Sequence, residues 1–70
     1  MTDKQQDVLE TFLVQENGAQ LETEPIREWV ENGTGLPLSR TKFLRCLEDR
    51  AAQAEHGFAH ARGTTWRRRS

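Results

Sequence analysis

The chain of 70 residues has one cysteine, two prolines, few metal ligands and no long apolar run, and these shortages set the first limits. A lone Cys46 excludes an intramolecular disulfide framework, so the chain suits a reducing, intracellular compartment. No apolar run approaches the roughly 20 residues of a membrane span. The opening Met-Thr-Asp-Lys-Gln-Gln-Asp is polar and does not read as a signal peptide. A soluble, cytoplasmic protein with no membrane partner is expected. His56 and His60 lie four apart and Cys46 ten before His56. A tetrahedral structural zinc needs four ligands at closer, paired spacings, so no metal or other cofactor is expected. Carboxylates are plentiful but fall on solvent-facing helix positions, and a chain this short has little room for a sheltered pocket. Neither catalysis nor a small-molecule substrate is expected.

What is present is unevenly placed. Apolar residues make up only 34%, yet they recur in phase, which separates the chain from disordered sequences. A domain of this size buries only about 60% of its unfolded surface, so its stability is marginal. The net charge of −1 conceals two opposed halves. Residues 1–35 carry Asp3, Asp7, Glu10, Glu16, Glu22, Glu24, Glu28 and Glu31 against Lys4 and Arg27, a net of −6. Residues 36–70 carry Arg40, Lys42, Arg45, Arg50, Arg62, Arg67, Arg68 and Arg69 against Glu48, Asp49 and Glu55, a net of +5. Such a split fits a basic face offered to a polyanion, and it equally fits two halves attracting each other within a small fold.

Three helical segments and a hairpin can be read in order. Thr2-Asp3-Lys4-Gln5 matches a capping box, and Val8, Leu9, Phe12 and Leu13 then share one face up to Asn17-Gly18, predicting a helix over about 3–17. Ala19–Thr23 is a connector in which Leu21 could anchor the chain or form a brief strand. Thr23-Glu24-Pro25 restarts a helix over about 25–32, with Ile26, Trp29 and Val30 on one face and Asn32-Gly33 as its end. A helix this short must pack on its neighbours, and Trp29 is expected to be a core anchor. Gly33-Thr34-Gly35-Leu36-Pro37 follows as a turn; its two glycines lack the Lys-Ser/Thr of a phosphate loop.

The third helix has its start written in. Leu38 precedes a Ser39 N-cap and Phe43 takes the fourth helical position, a hydrophobic staple. Phe43, Leu44, Leu47 and Ala51 form an apolar stripe, and the helix is predicted over about 39–54. Cys46 sits beside that stripe as a small packed hydrophobe. Arg40, Thr41, Lys42 and Arg45 lie off it, a basic, hydroxyl-bearing set suited to a DNA major groove or simply to solvent, or to pairing with Glu48 and Asp49 along the helix. After His56-Gly57, Phe58, His60, Thr64, Trp66 and Arg68 alternate about the Arg62-Gly63 turn, predicting a hairpin over about 57–68 with Phe58 and Trp66 inward.

In this order the residues Ile26–Val30, Thr34–Leu47 and Gly57–Arg67 resemble a winged helix-turn-helix: mainly α, three helices and a C-terminal β-hairpin, filling residues 1–70 as a single domain. The Leu-Ser-Arg-Thr helix start and the Arg-Gly-Thr turn are similar to small modules of phage and plasmid replication or regulatory proteins. The resemblance implies a double-stranded-DNA-binding protein or module acting in transcription regulation or replication. Its recognition helix would start at Ser39, with Arg40, Thr41, Lys42 and Arg45 toward the major groove. Its wing would be centred on Arg62-Gly63, with Arg62 and Thr64 toward backbone or minor groove. Arg67, Arg68 and Arg69 form a basic tail suited to phosphate attraction or to a solvated terminus. A homodimer on a two-part site is compatible with this reading. The alternative is a protein-interaction adaptor of the same fold, its acidic first helix and neighbours Asp7, Glu10 and Glu28 forming the working face.

Overall fold

A computed structural model describes residues 1–69. In chain order the elements are α1 (Asp3–Gln15), β1 (Gln20–Glu22), α2 (Thr23–Thr34), α3 (Arg40–Gln53), a 3-10 turn (Glu55–Gly57), β2 (Ala59–Arg62) and β3 (Thr65–Arg67). The chain is mainly helical, with a small antiparallel sheet whose strand order is β1-β3-β2.

Local chemistry sets each helix start. At α1 the Thr2 hydroxyl accepts from Gln5 N at 3.1 Å while Gln5 Oε1 accepts from Thr2 N at 2.9 Å, so two otherwise unpaired donors are satisfied. The same Gln5 is buried and donates through Nε2 to Pro37 O at 3.2 Å, tying α1 to the turn before α3. At α3 Ser39 is the N-cap, with Oγ 3.5 Å from Lys42 N, a weak cap. The staple is the stronger device, because Leu38 and Phe43 are both buried in the core.

The second helix departs from expectation at both ends. It starts at Thr23 and runs through Asn32-Gly33 to Thr34, whose buried hydroxyl donates to Val30 O at 2.8 Å. Gly35 ends it in the left-handed conformation, φ +68°, where its N–H donates to Glu31 O. Gly33 serves helix packing instead: a Cβ there would lie 2.9 Å from a methyl of Val8 on α1. Its missing side chain allows the two helices to approach. Three turns, not two, therefore support the core.

The connector after α1 is a strand. Leu21 faces Trp66 across β1 and β3, and Gln20 and Glu22 face Arg67 and Thr65. On the other side of β3, His60 faces Trp66, and the register slips between His60 and Arg62, a bulge at Ala61. Thr23 locks the sheet to α2. Its N–H and hydroxyl both donate to Thr64 O, at 3.1 and 2.7 Å, and its Oγ1 accepts from Trp66 Nε1 at 2.8 Å. Every polar atom of that buried group has a partner, so it orders the core without the penalty of an orphaned donor.

One cluster forms the interior: Leu9, Leu13, Ile26, Val30, Leu38, Phe43, Leu47, Phe58 and Trp66. Phe58 and Trp66 point inward as expected and stack, with ring centroids 5.6 Å apart. Past α3 the chain turns through left-handed Ala54 and His56 before Gly57 at φ +69°. A Cβ on Gly57 would lie 2.0 Å from Arg69 O, so this position has no room for any other residue.

Two expectations fail here. Trp29 is not a core anchor: it is 45% exposed and stacks on half-buried Phe12, 5.0 Å between centroids. On the helical wheel it sits at the edge of the Ile26–Val30 stripe, and α1 covers only one side of its ring. Arg68 does not belong to a solvated basic tail. It is 7% exposed, donating to Asn17 Oδ1 at 3.0 Å and to Glu10 Oε1 at 3.2 Å.

Candidate nucleic-acid interface

The α2–α3 turn is held through its backbone. Leu38 N donates to Glu31 Oε2 at 2.8 Å, and Leu38 O accepts from Arg27 Nη1 at 2.9 Å. Arg27 in turn pairs with Glu31 at 3.0 Å and donates from Nε to Glu24 Oε1 at 2.7 Å. The hydrogen bond from Arg27 holds the Glu24 carboxyl below the usual glutamate range and raises the Arg27 guanidinium in return. A turn longer than that of the simplest helix-turn-helix is thus fixed by an ion-paired clamp, and it delivers α3 at a set angle.

With about 100° per residue, α3 turns Phe43 and Leu47 inward and puts Arg45 at the middle of the opposite face. Thr41 and Lys42 flank Arg45 and all three are exposed. Arg40 falls on the α2 side instead, where its Nη1 lies 3.6 Å from Glu24 Oε2 with the guanidinium still more than half exposed. Glu48 and Asp49 also stand on the solvent face, so α3 is basic only over its first half. Met1, Gln6, Lys42, Arg45 and Arg50 line a groove of about 450 Å³ between the start of α1 and α3. Cys46 also borders it, its thiol pKa pushed up by burial.

The hairpin supplies the second part. Arg62 ends β2 exposed, next to Gly63 at φ +53°. Arg67 alternates with inward Trp66 and so projects from the other face of the sheet. Thr64 is committed elsewhere: its hydroxyl donates to Glu22 Oε2 at 2.9 Å, and Thr65 donates to Oε1 at 2.7 Å. Those two hydroxyls hold the Glu22 carboxyl below its ordinary range. Thr64, expected at the nucleic-acid contact, is exposed and ties the hairpin to β1 through its bond to Glu22. His60 lies across the Trp66 ring and its Nε2 meets Gly63 O.

Part of the charge split is spent within the fold. Glu10 on α1 gathers Arg50 at 2.8 Å and Arg68 at 3.2 Å, and Glu24 meets Arg40, so cations of the second half are drawn to acids of the first. Burial pushes the Glu10 carboxyl up, but the Arg50 hydrogen bond and the charges of Arg50 and Arg68 outweigh it and leave the carboxyl below its ordinary range. Glu10, expected on the acidic face of the first helix, is thereby engaged within the fold. Among the described residues Lys42, Arg45, Arg62, Arg67 and Arg69 enter no ion pair. Neither the Glu10 clamp nor the open Phe12–Trp29 pair was foreseen. The clamp joins residues 58 positions apart, and no local pattern marks it.

No protein-family model, curated protein or solved structure matches this chain. No described helix is long and apolar enough to cross a membrane.

Proposed function

We propose that the chain is a winged-helix module that binds double-stranded DNA, acting as an accessory in transcription or replication. The order helix, strand, helix, helix, hairpin, with the final strand central in the sheet, supports the winged-helix reading. The observation that carries the function is Arg45: it stands at the centre of the α3 solvent face, beside Thr41 and Lys42, with no carboxylate paired to it among the described residues. A guanidinium in that position offers a bidentate fork to guanine in the major groove. Arg40 is held lightly enough by Glu24 to exchange that partner for a phosphate. Arg62 at the hairpin tip meets backbone or minor groove, and Arg67 adds attraction at longer range.

The acids Glu48 and Asp49 limit the contact to the first turns of α3, since facing them to phosphates would be repulsive. The direct test is a titration of mixed-sequence duplex into labelled protein at low and moderate salt, read by anisotropy. Binding that weakens steeply with salt is the expected result. Absence of binding at low salt would overturn the proposal.

A further inference from the structure

The acidic half of the molecule carries an apolar face that the DNA reading does not use. Trp29 stacks on Phe12, and each has an apolar neighbour four residues away on its own helix, Pro25 on α2 and Val8 on α1. These four make a continuous row along the α1–α2 groove, with the Trp29 ring nearly half open to solvent. A single exposed aromatic would need no explanation, but a stacked pair within an apolar row does. Two exposed carboxylates border the row, Glu28 next to Trp29 and Glu16 one turn beyond Phe12, and neither enters an ion pair among the described residues. Asp3 and Asp7 lie on another side of α1, and Lys4, one turn before Val8, is the one cation at that end of the row.

We infer that this face docks a basic segment of another protein, an arginine- or lysine-bearing stretch with an apolar anchor. The charge pattern selects that occupant. A cation laid on the open Trp29 ring is attracted by the ring's face and is then within reach of Glu28 and Glu16. A second copy of this chain is disfavoured, because pairing this face with itself would bring two carboxylate-bordered surfaces of like charge together. Duplex DNA is excluded from this face by the same charges. None of its residues is in the basic set of α3 and the hairpin, so a duplex and a protein could be held together. The inference does not depend on DNA binding.

The test uses the full chain. Random dodecapeptides displayed on phage are selected on the immobilised protein, and the enriched sequences are synthesised and titrated against it. Enrichment of sequences joining Arg or Lys to an apolar residue is expected. Their affinity should fall about tenfold or more for Trp29→Ala and for the double reversal Glu16→Lys with Glu28→Lys. The reversals sit at exposed positions and spare the packing, so they decide the matter if Trp29→Ala loosens α1 against α2 in a thermal melt. Anisotropy with duplex DNA, measured on the same variants, keeps this result separate from that of the proposed function. Enrichment of uncharged or acidic peptides would overturn the inference, as would equal binding to the reversed protein or no enrichment over bare support. Sedimentation showing a dimer that Trp29→Ala dissolves would give the face to a second copy and overturn it too.

Discussion

The arginines of the second half fall into two groups that look alike in the sequence. Arg50 and Arg68 are drawn inside by Glu10, with side chains 13% and 8% exposed, and they join α3 and the end of β3 to α1. Arg45 and Arg62 stand in solvent without an ion pair among the described residues. The first group ties the fold together and the second remains exposed. A charge count adds the two together, so it overstates how much positive charge is left exposed.

Breaking the inner group should have the largest effect. Glu10→Ala leaves two shielded guanidiniums facing each other, and a loss of about 2–3 kcal/mol is expected, below the range for a fully buried pair because Glu10 is itself partly exposed. On a domain this small that lowers the melting temperature by about 10–20 °C in a calorimetric or circular-dichroism scan. The pH dependence sharpens the assignment. Because the folded Glu10 pKa is depressed, its contribution is complete above the unfolded value and is lost as pH falls through the folded one. Wild-type stability should therefore drop from about pH 5 downward, and Glu10→Gln should flatten that slope in denaturant melts taken at successive pH values.

The outer group should behave in the opposite way. Arg45→Ala is expected to change stability by no more than about 0.5 kcal/mol. In duplex titrations it should cost about 1–3 kcal/mol of binding and relax sequence choice. Arg62→Ala should have the smallest effect, weakening all duplexes alike and reducing the slope of log affinity against log salt by about 0.9. If Arg45→Ala melts the protein, or Glu10→Ala leaves it as stable as before, the division into two groups is wrong.

Much of the fold was legible because its signals are local. The Thr2–Gln5 box, the Leu38–Phe43 staple and the alternation of Phe58 with Trp66 each depend on residues near in sequence, and each holds in the structure. Gly33 misled for an instructive reason. Glycine marks helix ends through its left-handed freedom, but here it is helical and serves the close approach of Val8, a neighbour that sequence cannot place. Of the expected interface, the exposure of Arg40, Thr41, Lys42, Arg45 and Arg62 followed from helix and turn periodicity. The burial of Arg68 could not be read without knowing that Glu10 stands beside it.

The sequence by itself determined that three helices and a hairpin form in this order and most of what turns inward, because caps, staples and periodicity act within a few residues. Only the tertiary structure decided that Leu21 joins a third strand, that Trp29 lies open on Phe12, and which arginines are enclosed. Those outcomes depend on pairings between distant residues, where a shift of one helix exposes a ring or brings a carboxylate to a guanidinium.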